Sequence, residues 1–442
     1  MSETEELTKE DLTPCLARHT LLSKNNFLRG TAVYMASNMV TAAIPFLLLP
    51  AMTRYLSPEE YGQVAMFQVM IGGLGAFVGL NVVGAASRKY YDENPIHVMN
   101  EYITTCLHII IASGIAVFCL LFAFKTPLSQ FLGLDPEWIL WCVFVVVVSS
   151  ITQLQLGQWI VRKNAKKYAI FQILQSIVIM SLSLLFVVMY KEGVWGRVAA
   201  QIIGASIGGA VALFSLYKDD LLGFFVWNPV YAREALSFGV PLIPHVAGLF
   251  LLMSIDRLIV NVELGLAEAG IYAVASQIAY AMVLIFDAVN KAYVPCLYEK
   301  LKDDVFEEKC RIVRNTYVWF GFIFAIVGCA FLVGPEIIVW IAGEKYAAAA
   351  KLVGWLALGQ GFVGMYLMVT NYIFYSRRTG LLSLTTICSG ILNVALLFLF
   401  IRFFGVTGAP IAFCIAMCFR FIVTWVVAQK QYPMPWFSFI LK

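Results

Sequence analysis

Apolar runs of about 20 residues or more recur along the whole chain, divided by short clusters of charge, Gly and Pro. They fall at roughly 29–52, 61–84, 99–123, 138–161, 168–190 and 196–217. After a polar break they resume at roughly 238–262, 269–292, 313–334, 349–374, 381–402 and 408–429. A helix rises about 1.5 Å per residue, so each run reaches across a hydrocarbon layer of about 30 Å. No soluble core takes up so many such runs. Of the 442 residues, 61% are apolar and only 13% charged, about half the charged fraction of soluble domains. The expectation is an all-α integral membrane protein with about twelve transmembrane helices.

The net charge of +4 is too small for a nucleic-acid footprint, and no nucleic-acid partner is expected. The first 24 residues are polar and acid-rich (Glu3, Glu5, Glu6, Glu10, Asp11). They lack the basic start, short apolar stretch and small-residue cleavage site of a signal peptide, so the first helix is expected to be retained behind a loose cytoplasmic tail. Basic residues then orient the chain. With a cytoplasmic N-terminus, inside segments hold 22 of the 31 Lys and Arg, including Arg88, Lys89, the Arg162–Lys167 cluster, Arg377 and Arg378. Outside segments hold seven (Arg54, Lys125, Lys191, Arg197, Lys345, Lys351, Arg402), and Arg257 and Arg420 fall within helices. That bias predicts both termini cytoplasmic. The longest loops, about 218–236 and 293–312, leave no room for a nucleotide-binding domain, and no phosphate-binding Gly-x-x-x-x-Gly-Lys-Ser/Thr occurs. Ten scattered cysteines without a Cys-x-x-Cys read as small apolar packing residues. Cys414 and Cys418 share a helix face but lack His or carboxylate neighbours, so no metal is expected.

The chain repeats weakly. Glu60-Tyr61-Gly62-Gln63-Val64-Ala65 lies over Glu268-Ala269-Gly270-Ile271-Tyr272-Ala273 at an offset of 208. Gly193-Val194-Trp195-Gly196 lies over Gly405-Val406-Thr407-Gly408, and Ala165-Lys166 over Arg377-Arg378, at an offset of 212. Both copies start on the same side, so the halves are related by an axis along the membrane normal, an arrangement suited to alternating access. The expected division is a cytoplasmic tail 1–28, an N-lobe 29–217, an inter-lobe linker 218–236, a C-lobe 237–430 and a C-terminal tail 431–442. The Gly-rich runs Gly72-Gly73-x-Gly75-x-x-x-Gly79 and Gly204-x-x-x-Gly208 permit close helix contact or bending. Trp138, Trp141, Trp195, Trp227 and Trp436 read as interfacial belt residues.

Three segments carry a family resemblance. Pro50-Ala51-Met52-Thr53-Arg54-Tyr55-Leu56-Ser57-Pro58-Glu59-Glu60-Tyr61-Gly62 resembles the first-loop signature of polysaccharide flippases. Gly239-Val240-Pro241-Leu242-Ile243-Pro244-His245, then Asp256-Arg257-Leu258-Ile259-Val260 and Gly270-Ile271-Tyr272, resemble the same family's second half. The chain is similar to Wzx-type flippases of the multidrug/oligosaccharidyl-lipid/polysaccharide (MOP) exporter superfamily over nearly its whole length. Lipid II flippases usually have fourteen spans, and the first-loop pattern is not typical of the drug-exporting MATE branch. The resemblance implies a MOP/MATE-like fold of two six-helix lobes. It also implies translocation of undecaprenyl-pyrophosphate-linked repeat units of an O-antigen, capsule or exopolysaccharide across a bacterial plasma (inner) membrane. A monomer in membrane lipid, working with a polysaccharide polymerase and a chain-length regulator, is the implied setting.

An anionic diphosphate requires cations at membrane depth, where an isolated charge costs on the order of 3 kcal/mol or more. Arg420, midway along the last run, is the clearest substrate-binding candidate; the alternative is a structural partner to a carboxylate. Arg257 lies deep in the seventh run. Arg54 and Arg88 end the first and second runs, and the resemblance raises their standing as cavity cations above simple anchoring. Tyr280, Asp287 and Lys291 share a stripe, read either as a salt bridge or as an inner rim where the diphosphate docks. Asp256 and His245 lie eleven residues apart on one face of a continuous helix, a candidate H+ or Na+ coupling pair or two structurally bonded groups. No cofactor is expected, and no ATPase is present to drive transport. Two rival functions remain at this level: a cation-coupled exporter of small drugs, and a membrane enzyme acting on lipid-linked sugar. The second would need clustered catalytic carboxylates, for which Asp135 and Glu137 are the nearest residues.

Overall fold

A computed structural model describes the backbone of residues 9–92, 95–223, 227–302, 304–376 and 380–436, with side chains from residue 30 onward. The acidic tail's side chains, Arg377, Arg378 and the end of the C-terminal tail lie outside the described residues. Fifteen α-helices carry the described chain. The first half holds α1 (Lys9–Tyr55), α2 (Pro58–Leu74), α3 (Val82–Lys89), α4 (Ile96–Leu132), α5 (Pro136–Val161), α6 (Ala165–Leu184) and α7 (Gly193–Lys218). The second holds α8 (Pro229–Gly239), α9 (Ile243–Met253), α10 (Ile255–Leu264), α11 (Leu266–Lys302), α12 (Phe306–Ala342), α13 (Ala350–Tyr375), α14 (Gly380–Phe404) and α15 (Gly408–Gln431). The expected loose tail is thus helical from Lys9.

Among the described residues, 10 stretches are long and apolar enough to cross a membrane. The difference from twelve has two sources. The last stretch, Gly380–Gln431, is 52 residues long and contains both α14 and α15, which meet at Gly405–Thr407. The second apolar run is split: α2 stops at Leu74, and the chain unwinds to Asn81 before α3. Gly79, Leu80 and Asn81 take φ of 77°, 46° and 58° there. The glycine run supplies the freedom for this break, and Leu80 and Asn81 follow into a left-handed region that L-residues seldom occupy.

Local chemistry explains the helix starts. Ser57 caps α2, Pro58 takes the first helical position, and Glu60 closes the capping box: Ser57 N donates to Glu60 Oε2 at 2.7 Å, and Glu60 N to Ser57 Oγ at 3.2 Å. The loop signature is therefore, in part, the instruction that begins α2. Asp135-Pro136 and Asn228-Pro229 repeat the device at α5 and α8. The helix expected over 238–262 is in pieces, because α9 and α10 are separated at Ser254 (φ −138°, ψ −20°).

Packing falls into two groups. In the first, α1 lies on α6, α4 and α7 flank α5, and α6 lies on α7. Gly204 and Gly208 make the last contact close, since a Cβ on either would come within 2.3 Å of Ile179 or 2.2 Å of Gln175. In the second, α13 is surrounded by α11, α12 and α15, α15 pairs with α14, and α9 lies on α14. The groups meet where α2 crosses α11. A Cβ on Gly62 would sit 2.0 Å from the Leu266 carbonyl oxygen, and one on Gly270 would sit 1.9 Å from that of Pro58. Gly62 and Gly270, like Pro58 and Leu266, are 208 positions apart. Each half thus offers the same glycine to the same carbonyl of the other, and the repeat seen in the sequence is a reciprocal contact in space.

Further bonds join the halves at this end. Tyr346 Oη donates to the Leu56 carbonyl at 3.2 Å, Tyr61 Oη to Gln277 Oε1 at 2.9 Å, and Asn261 Nδ2 to the Leu132 carbonyl at 3.1 Å. Both crossing helices are mostly buried up to Val69 and Ser276, and become half-exposed beyond them. The halves are sealed at the end where α2 and α11 begin and part toward the other. At that far end α8 packs on α3 and α4, and Lys89 Nζ meets Glu234 Oε1 at 2.9 Å. The expected linker 218–236 therefore includes most of an ordered helix that docks on the first half.

Candidate functional site

Two cations reach a common space between the halves. A cavity of about 330 Å³ is lined by α1, α2, α7, α10 and α11, with Arg197 and Arg257 as its charged residues and Gln68, Gln277, Tyr61 and Tyr280 as polar neighbours. No carboxylate lines it. Among the described residues neither guanidinium enters an ion pair.

Each cation is held by its element. Arg197 lies one turn into α7, where its Nη1 donates to Ser183 Oγ of α6 at 3.1 Å. Arg257 opens α10, just past the break at Ser254. Its neighbour Asp256 is turned away: that side chain is buried, accepting the Arg257 backbone N–H at 2.9 Å and the Tyr272 hydroxyl. Consecutive positions on α10 point about 100° apart, which sends the carboxylate into the protein and leaves the guanidinium at the cavity. Gln68 Nε2 bonds Gln201 Oε1 at 2.5 Å, tying α2 to α7, and Gln277 Nε2 bonds the Pro45 carbonyl of α1 at 2.7 Å. A wall with two cations, no carboxylate and neutral hydrogen-bonding groups suits an anion with several oxygen acceptors.

The other expected residues are spread out. Arg54 is exposed at the end of α1, and only its carbonyl, 3.5 Å from Lys345 Nζ, joins the seal. Arg88 is exposed on α3 over the Phe238 ring, where it lines a second pocket of about 320 Å³ together with Lys89, Asp92 and Glu234. Asp287 and Lys291 pair at 2.5 Å, about half exposed on α11, about two and three turns beyond cavity-lining Tyr280. Arg420 is 6% exposed but does not line the central cavity. Its guanidinium lies 3.9 Å from the Tyr366 ring centroid and its Nη2 is 3.5 Å from Thr386 Oγ1, both inside the second half. It is held by an aromatic face and a hydroxyl rather than by the carboxylate considered from sequence. The face shared by His245 and Asp256 presupposed one continuous helix, and the break at Ser254 interrupts it. His245 is exposed at the start of α9, whereas Asp256 is buried.

Arg197 was placed in an outside loop by the sequence reading. Its signal was present: it stands four residues before Gln201, so the two polar side chains share one face of an otherwise apolar helix. Among the described residues, no cluster of His, Cys, Asp or Glu could hold a metal ion.

Comparison with known proteins bears on the family and the fold. Residues 27–300 match the family described as "Polysaccharide biosynthesis protein". The chain is 24% identical over 379 residues to "Lsg locus putative protein 1" of Haemophilus influenzae, covering 83% of this chain and 89% of that protein. It is 23% identical over 348 residues to the "Succinoglycan biosynthesis transport protein ExoT" of Rhizobium meliloti, covering 76% and 66%. In fold it is similar to the lipid II flippase MurJ in an inward closed conformation (TM-score 0.71, 14% identity, 90% of this chain and 87% of that one). It is also similar to an inward-facing MATE transporter of the MOP superfamily (TM-score 0.64, 15% identity, 90% and 94%). The fold is that of MOP exporters, and this multi-pass membrane protein belongs to the polysaccharide biosynthesis protein family.

Proposed function

We propose that the chain is a flippase. It carries undecaprenyl-pyrophosphate-linked oligosaccharide repeat units from the inner to the outer leaflet of a bacterial plasma membrane, for O-antigen, capsule or exopolysaccharide assembly. The observation that carries this reading is the pair Arg197 and Arg257, unopposed by acid in a cavity between two halves. The diphosphate binds there, the glycan occupies the wet space between the halves, and the prenyl chain trails into lipid past α1 and α11. Twelve spans with both termini cytoplasmic place the sealed end outside. Rocking about the α2–α11 crossing then exposes the cavity to each face in turn. An H+ or Na+ gradient, or removal of product by a polymerase and its chain-length regulator, supplies the direction, and Asp256 is the buried carboxylate available for coupling.

The test is complementation of a deletion strain at native expression. Arg197→Gln and Arg257→Gln are each expected to cut surface glycan by about tenfold or more, the worth of a charge-assisted hydrogen bond, and to leave lipid-linked units on the inner leaflet. Full surface glycan from the double variant, or drug sensitivity as the sole phenotype of the deletion, would overturn the reading.

A further inference from the structure

The break between α2 and α3 opens a pocket of a different kind. Its volume is about 460 Å³, within the usual size of small-molecule sites (about 300–1,000 Å³). Gly75, Val78, Gly79 and Asn81 of the break line one side, and Ser149, Ser150 and Gln153 of α5 the other, with Leu242 of the second half at its edge. No ionisable residue lines it.

Two features mark this pocket as more than a gap. The first is unpaired polarity. Turn bonds run from Gly75 N to Ile71 O, Ala76 N to Gly73 O, and Phe77 N and Val78 N to Leu74 O, while Gly79 N meets Ser113 Oγ at 2.8 Å. Among the described residues this leaves the carbonyls of Gly75 and Val78, both residues of the pocket lining, without a donor. The side chains of Ser149 and Gln153 likewise make no hydrogen bond within the protein, and Gln153 is exposed on α5. Non-helical backbone at membrane depth persists only when buried in protein or facing a polar cavity. The second feature is position. Gln68 lines the arginine cavity and Ile71 the break pocket, one turn apart on α2. Gln68 to Gly75 is a rise of about 10 Å. Phe250 of α9 lies between the two spaces, its ring 3.4 Å from where a Cβ of Gly73 would be.

We propose that the break pocket is the sugar subsite, receiving the hydroxyls of the first residues of the glycan while the attached diphosphate sits at Arg197 and Arg257. This rests on the flippase reading. Unpaired carbonyls accept from hydroxyls, and Ser149 and Gln153 both donate and accept. The absence of ionisable lining residues disfavours a cation or an anion, and the polar wall disfavours an acyl chain. Leu242 comes from the second half, so the pocket edge changes when the halves rock, and release of the sugar is tied to that motion. The division of labour assigns affinity for the carrier to the arginines and discrimination among glycans to the break.

The test compares two ligands on the purified full chain in nanodiscs: undecaprenyl pyrophosphate, and the same lipid bearing one N-acetylglucosamine. Wild type is expected to bind the sugar-bearing lipid about tenfold more tightly, the worth of one to two hydrogen bonds exchanged for those of water. The double variant Ser149→Ala, Gln153→Leu should lose that advantage and keep its affinity for the bare lipid, which also shows that it folds. Retention of the advantage by the double variant, or equal wild-type affinity for the two lipids, overturns the subsite while leaving the arginine cavity standing. Failure of wild type to bind either lipid overturns the flippase reading, and the subsite with it.

Discussion

Three arginines at membrane depth have two kinds of surroundings. Arg197 and Arg257 line a shared space, and Ser183 holds the Arg197 guanidinium there without neutralising it. Arg420 lies on the face of Tyr366 with Thr386 beside it, and its Nε is buried without a hydrogen-bond partner. A cation seated on an aromatic ring in a buried site is worth about 2 kcal/mol, and its aliphatic stem fills volume as well. Arg420→Ala is therefore expected to lower the thermal stability of the purified protein by several degrees, along with its transport. Arg257→Ala should lower transport at unchanged melting temperature. A thermal melt of both variants checks the pair, and equal melting temperatures would return Arg420 to the cavity. Charge at depth could be read from the sequence, and that singled out Arg257 and Arg420. What each faces could not, because orientation depends on where helices break: the interruption at Ser254 ends the face that His245 and Asp256 would share on one continuous helix. Arg197 was lost for a simpler reason. It sits near a helix start, where a basic residue ordinarily anchors at the interface.

The helices that cross between the halves are the element on which motion turns. Gly62 and Gly270 bring backbone against backbone, and backbone cannot swing aside as a side chain can. Alanine at either position is expected to force α2 and α11 apart, an overpacking cost of about 1–3 kcal/mol. The two single variants should be alike in effect because the contact is reciprocal. The double variant should cost less than the sum, since both act on one crossing. Chemical denaturation of the three proteins measures this, and additive costs would argue against a shared contact. The start of α2 was legible down to its cap, because Ser57, Pro58 and Glu60 act through local bonds. The end of α2 was legible only as a run of glycines. Glycine permits a break or a close contact, and the choice between them is made by what packs alongside.

At the scale of the molecule, the two halves are held at one end and part at the other. With the sealed end outside, cysteines introduced at Tyr280, Asp287 and Gln153 in a background freed of the native thiols should react with a membrane-impermeant maleimide added from the cytoplasmic side. Cysteine at Met66, on the fully buried part of α2 near the seal, should stay protected. Reaction from the outer side alone would invert the orientation. The fold class and the two-part plan were both visible in apolar periodicity and in a faint repeat. The cavity was not, since it belongs to neither half and arises where they fail to touch.

The interrupted α2–α3 segment also bears on how such a protein is made. α2 has 17 residues and carries Gln63 and Gln68, so it is short for a span and polar for one. The bare carbonyls that follow it find their surroundings only after α5 and the second half are in place. Residues 58–89 should therefore leave the insertion machinery late, handed over together with their later neighbours and not one helix at a time. Fused alone to an insertion reporter, this segment is expected to integrate poorly, whereas the α4–α5 hairpin integrates well. Efficient integration of the isolated segment would show that the break is tolerated by lipid itself.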